Sequence, residues 1–241
     1  MFFFWDPTYI LYMLPGLILT LIAQWWVNST YRKWGRVRNS LGLSGADAAR
    51  RLLSSGGMSD IGLEGVQGQL TDHYDPSSGV LRLSAGVAQG QSVASLAIAA
   101  HEIGHAIQDR QGYLPMKIRS AMVPAVSIGS NLGLFMIIGG LLLQGFLGTA
   151  LATQIAWLGV FFFAGGALFA LATLPVELNA SARARRLLQD SGIVTSPQER
   201  AGVSSVLTAA AFTYVAGLAT AVLQLLYFVS LVGGMGGRRR G

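Results

Sequence analysis

Three of the 241 residues are histidine, and two of them flank a short acidic motif: His101-Glu102-Ile103-Gly104-His105. On a helix, residues four apart return to nearly the same face, about 6 Å further along the axis. Two imidazoles placed this way can bind one zinc ion. Glu102 lies beside them, where its carboxylate could take a proton from a water that the metal activates. With so few histidines in the chain, chance pairing is a poor account of the spacing. There is no cysteine, so disulfides and thiolate ligands are both excluded, and zinc would have to be held by His, Glu or Asp.

A catalytic zinc site needs a third protein ligand and an open fourth position. Four residues are candidates. Glu177 follows a long apolar run directly, at what reads as a helix start near the membrane surface, where acidic residues are functional by default. A first-turn glutamate favoured by the helix dipole would look the same. Glu199, in TSPQER, reads as a capping or exposed residue, and Asp190 ends a basic helix. His73 lies in a hairpin and suits a contact to the substrate or transition state better than ligation. Tyr74 and Tyr113 could also steady an oxyanion. Glu177 is the favoured ligand.

These residues need scaffolding. The run 92–111, SVASLAIAAHEIGHAIQDRQ, is rich in strong helix formers and holds no proline. Gly104 is the exception, costing roughly 1 kcal/mol against alanine, so a small residue here implies something packed closely against it. Before it, 69–84 (QLTDHYDPSSGVLRLS) reads as a β-hairpin turning at Asp75-Pro76-Ser77-Ser78-Gly79. Its edge would either accept an extended peptide by strand addition or simply cap the domain. A short helix over 44–53 would be capped by Ser44 and stopped at Gly56-Gly57.

Composition places all of this in a membrane protein. Hydrophobic residues make up 52% and charged residues 12%, about half the charged share of a soluble domain. Four stretches could span a bilayer: 9–27, 123–146, 151–174 and 206–232. No formal charge occurs between Ser120 and Val176, and small residues such as Ser127, Ser130, Asn131, Gly139, Gly140, Gly165 and Gly166 suit close helix packing in lipid. The N-terminus lacks a basic leader and reads as a retained anchor. The fold expected is mainly α: about four transmembrane helices and a small cytoplasmic zincin-like catalytic domain with one β-hairpin. The parts are an anchor (1–31), a segment carrying hairpin and motif helix (32–122), two spans (123–174), a helix bearing the third ligand (175–205), a fourth span (206–232) and a flexible basic tail (233–241).

The net charge of +6 invites a nucleic-acid reading, but the basic residues sit beside apolar spans. A lipid bilayer is the better partner, and no nucleic acid is expected. Ten basic residues fall in 32–119 and four in 183–200. Both segments should therefore face the cytoplasm, which puts His101, His105 and Glu177 on one side of the membrane.

The chain resembles the YugP-like family of bacterial membrane zinc metallopeptidases through TDHYDP (71–76), VLRLS (80–84), AAHEIGHAIQ (99–108) and PVELNASARA (175–184). More loosely, it is similar to HtpX and the CAAX prenyl proteases, though Ser181 stands where those carry an aspartate. The resemblance implies Zn²⁺ on His101, His105 and Glu177, with Glu102 catalytic, in a gluzincin-like arrangement. It implies a multi-pass protease of the bacterial plasma membrane but supplies no substrate; polypeptides in or near the bilayer are expected by analogy. The alternative is a non-catalytic zinc-binding scaffold or adaptor, for which the intact Glu102 would have no use.

Overall fold

The computed structural model describes residues 7–237, in which seven helices and three strands follow one another. They are α1 (Pro7–Trp34), α2 (Gly45–Ser55), β1 (Gly62–Val66), β2 (His73–Asp75), β3 (Val80–Ser84), α3 (Ala85–Ala88), α4 (Val93–Arg110), α5 (Leu114–Leu147), α6 (Ala150–Asp190) and α7 (Pro197–Gly237). Four of them, α1, α5, α6 and α7, are long and apolar enough to cross a membrane. The architecture is mainly helical, with one small sheet. Residues 233–237 of the expected flexible tail continue α7, while the tail from Arg238 onward and residues 1–6 of the expected anchor lie outside the described residues.

The long helices exceed the expected spans because nothing in the sequence stops them at the apolar boundary. Charged residues lengthen a helix into water as readily as apolar ones lengthen it into lipid. Pro175 was expected near the start of a separate polar helix, but it lies inside α6. Proline removes one backbone hydrogen bond, a loss that long apolar helices tolerate. A true break occurs at Gly148-Thr149, where Gly148 adopts φ +59° between α5 and α6.

The chain divides into two compact units. Among the described residues, the first comprises 7–22, 118–174 and 214–237. Its interior is built on glycine contacts. A Cβ on Gly133 would lie 2.7 Å from the Gly159 carbonyl oxygen, one on Gly159 2.6 Å from the Gly133 oxygen, and one on Gly140 2.7 Å from the Ala152 oxygen. Backbones of α5 and α6 thus touch directly, the contact small residues permit where lipid offers no hydrophobic drive. Of the glycines singled out from sequence, Gly140 takes part in this contact. Gly139 meets nothing within 4 Å. Ile137, Ala156, Val160 and Val232 form a buried apolar cluster in this unit.

The second unit comprises 23–117 and 175–213 and holds every candidate site residue. The sheet order is β1-β3-β2, with β1 parallel and β2 antiparallel to β3. The hairpin β2–β3 forms as expected: Asp75 accepts hydrogen bonds from Ser77 N–H (2.9 Å) and from the hydroxyls of Ser77 and Ser78 (2.6 and 2.7 Å), and Gly79 closes the turn at φ +65°. The expectation of a single hairpin is corrected by β1, whose GLEGV sequence has two glycines and little strand propensity. Leu81 and Leu83 of β3 are fully buried, while Arg82 on the other face pairs with Glu64 and Asp75, each at 3.0 Å.

Helix α4 is the centre of this unit. Ser92 caps it, its hydroxyl accepting from Ser95 N–H at 3.1 Å. Val93, Ala94, Leu96, Ala97, Ala99, Ala100 and Ile103 are all inaccessible to solvent. A helix apolar on every side belongs inside a core, and only such a helix can carry polar side chains into a dry site. At about 25 cal/mol per Å², burial on this scale holds the motif residues to fixed positions.

Candidate metal centre

Helix α4 presents His101 and His105, and α6 brings Glu177 to them. The Nε2 of His101 lies 3.3 Å from Glu177 Oε2, and the Nε2 of His105 lies 3.4 Å from the same oxygen. The two rings stand nearly perpendicular, with centroids 4.8 Å apart. All three ligand atoms fall within 4.8 Å of one another. Among the described residues these three form the group able to hold a metal ion. His73, Asp190 and Glu199 do not join it.

The donor set fits zinc. Tetrahedral ligands at the usual Zn–N and Zn–O bond lengths sit roughly 3.4 Å apart, which matches the nitrogen-to-oxygen separations here. Charge points the same way. Glu177 is 2% exposed and Glu102 8% exposed, and the groups facing Glu177 are the two imidazoles. Two carboxylates buried this close to one another are costly unless positive charge joins them.

Helix packing makes the convergence possible. A Cβ on Gly104 would lie 2.6 Å from the carbonyl oxygen of Ala180 and 3.2 Å from its Cα. The glycine between the two histidines is therefore where α6 rests on α4, three residues past Glu177.

Each ring is held from behind. Ser181 Oγ lies 3.3 Å from His101 Nδ1, so the serine occupying the place of an expected aspartate does reach its histidine. Gln108 Oε1 lies 3.0 Å from His105 Nδ1. Burial works against the charged form of His105, and the hydrogen bond and negative charge of Glu177 outweigh it, so its pKa is raised.

Glu102 turns toward the sheet. Its Oε2 accepts the main-chain N–H of Tyr74 at 3.1 Å. Burial pushes its carboxyl above the ordinary glutamate range, with the neighbouring imidazoles pulling the other way. The outward-facing N–H of edge strand β2 is thus already engaged, so peptide addition to β2 would have to work around it.

Other candidates have different duties. His73 is exposed, its Nδ1 lies 2.8 Å from the Thr71 carbonyl oxygen, and strand alternation puts its ring on the face opposite Tyr74. That placement gives no support to a substrate or transition-state contact. The Tyr74 hydroxyl donates to Asp109 at 3.0 Å, and its pKa is pushed up to about 12 by burial and by that carboxylate. Tyr113 lies under the Arg183 guanidinium.

Glu199 is a buried capping residue. Its carboxylate accepts Ser40 N–H at 2.7 Å, Ser196 N–H at 3.2 Å and the Ser196 hydroxyl at 3.0 Å. Ser196 Oγ in turn accepts Glu199 N–H at 3.1 Å, which completes a capping box at the start of α7. Glu199→Ala should lower stability by about 1–3 kcal/mol while leaving zinc affinity at the wild-type level. Thermal unfolding beside metal analysis checks both halves.

The sequence pointed to Ser181 only through the resemblance, and it did not point to Gln108, Asn179 or the Tyr74 main chain. A helical-spacing signal was present for two of them. Gln108 lies three residues beyond His105, and Ser181 lies four beyond Glu177, each on its ligand's own face.

Four candidate membrane spans and a largely buried His-His-Glu group are the features a membrane metalloprotein would carry. Residues 9–233 match the family described as "Putative neutral zinc metallopeptidase", and the chain belongs to that family. It is also 38% identical over 223 residues to the "Putative membrane protease YugP" of Bacillus subtilis (strain 168), covering 92% of this chain and 96% of that protein. No solved structure matches the chain. The family implies zinc, a polypeptide substrate and association with membrane.

Proposed function

We propose that the chain is a membrane-anchored zinc endopeptidase of gluzincin-like arrangement, with Glu102 as general base. The observation that carries this reading is the meeting of His101 Nε2, His105 Nε2 and Glu177 Oε2 beside a buried, oriented glutamate. His101, His105 and Glu177 would hold the metal. Zinc, when bound, supplies Lewis acidity that polarises a peptide carbonyl and acidifies water.

The protein's own residues do the proton work. Tyr74 N–H holds one oxygen of Glu102, which leaves the other free to receive the proton of the attacking water. A raised carboxyl pKa brings the acid nearer neutrality, which suits a group that must accept a proton and then pass it to the leaving amine.

Polypeptides in or beside the bilayer are the proposed substrates. The protein is placed in the bacterial plasma membrane with the segments 32–122 and 175–205 in the cytoplasm, on the strength of their fourteen basic residues. Purified full-length protein in detergent should cleave an unfolded polypeptide such as casein. Cleavage should stop when a chelator removes the metal and return when zinc is restored. Cleavage that persists in metal-free protein would defeat the reading.

A further inference from the structure

We infer that Gln108 is a positioning residue that fixes the tautomer of His105, so that Nε2 is the nitrogen offered to the metal. This rests on His105 being a zinc ligand and adds how that ligand is prepared.

The argument follows donors and acceptors inward from two groups whose chemistry is unambiguous. The Val176 carbonyl can only accept a hydrogen bond, and a Gln108 side-chain atom lies 2.8 Å from it. That atom must be the amide nitrogen. Arg183 can only donate, and its Nε lies 2.7 Å from Asn179 Oδ1, which fixes that oxygen as an acceptor. Gln108 Nε2 lies 3.0 Å from the same oxygen. Two independent acceptors therefore claim the two N–H bonds of Gln108. Its Oε1 is left to face His105 Nδ1 at 3.0 Å. An amide oxygen has no proton, so Nδ1 must carry one. In a neutral ring the lone pair then lies on Nε2, the atom 3.4 Å from Glu177.

Burial makes the arrangement strict. Gln108 is wholly inaccessible to solvent, so no water can replace a lost partner. Both anchors sit on α6, on either side of Glu177: Val176 just before it and Asn179 two residues after. The residue that prepares one ligand thus also ties down the stretch that carries another. His101 differs, because the Ser181 hydroxyl at 3.3 Å can donate or accept and imposes no tautomer.

The test is zinc affinity, measured by chelator competition on the full-length protein, for wild type, Gln108→Met, Gln108→Glu and His105→Ala. Methionine keeps the volume and removes every hydrogen bond. Glutamate keeps an acceptor for Nδ1 but loses the donors to Val176 and Asn179. Gln108→Met should weaken zinc binding by about 10–100-fold, the usual effect of losing a ligand's outer partner. Gln108→Glu keeps the acceptor for Nδ1 but sets a buried carboxyl against two acceptor oxygens, so its loss should be several-fold smaller than that of Gln108→Met. Equal losses in both variants, or none in Gln108→Met, would overturn the inference, since the amide would then serve the fold alone. If Gln108→Met is not recovered folded, ¹⁵N-histidine spectra of the zinc-loaded wild type read the same point: metal on Nε2 and a proton on Nδ1 are expected, and metal on Nδ1 overturns it. His105→Ala separates the two levels. Near-complete zinc loss there with no loss in Gln108→Met defeats only the tautomer argument, whereas zinc retained in His105→Ala defeats the site itself and the inference with it.

Discussion

Glu102→Gln should abolish peptide cleavage while zinc stays bound. The substitution keeps the side chain's volume and leaves its oxygen able to accept Tyr74 N–H, now 3.1 Å from Glu102 Oε2. What it removes is the capacity to take a proton. General-base contributions are typically about 10²–10⁴-fold in rate, so kcat should fall by that order. Because Glu102 is not among the three residues proposed to hold the metal, zinc content should match the wild type. Single-turnover cleavage with parallel metal analysis reads both. Undiminished cleavage would remove Glu102 from the mechanism, and loss of zinc would make it part of the metal's own shell.

Gly104→Ala is the second large effect, and it acts without touching a ligand atom. The added methyl would meet the Ala180 carbonyl oxygen at 2.6 Å and its Cα at 3.2 Å. Those are backbone atoms with no rotamer to change, so α6 must move away from α4. Overpacking of this kind costs about 1–3 kcal/mol in stability. The functional loss should be larger than the stability loss suggests. Glu177 stands three residues before Ala180 on the same helix and would move with it, and a misplacement near 1 Å can cost about 10²-fold in rate. Gly139→Ala is the matched control, since its Cβ would meet nothing within 4 Å. Melting temperature and zinc affinity for both variants test the difference. A Gly104→Ala protein with wild-type affinity would show that helix contact does not set the site.

Much of the site was legible because the chain is so poor in candidates. With 3 histidines and 11 acidic residues among 241, and long uncharged stretches between them, few residues could complete a metal site with the motif. Helical spacing did the rest for His101 and His105. The glycine between them already implied a close neighbour, and Ala180 is that neighbour. What stayed hidden was hidden for physical reasons. Strand β1 is held by its parallel pairing to β3 and not by its own Gly62 and Gly65. Pro175 reads as a helix start, yet α6 runs through it, because a long apolar helix absorbs one missing hydrogen bond. Glu199 has the composition of a cap and proved to be one, but nothing local revealed that Ser40, 159 residues away, would donate to it. Gln108 and Ser181 are ordinary polar residues whose meaning comes only from what faces them across two helices.

The ligand triad stands or falls on zinc stoichiometry in the purified full-length protein, compared between wild type, Glu177→Ala and Glu199→Ala. Wild type and Glu199→Ala should each hold about one zinc per chain, and Glu177→Ala should lose it under the same chelator challenge. Zinc kept by Glu177→Ala at wild-type affinity would contradict the assignment, whatever the protein's activity.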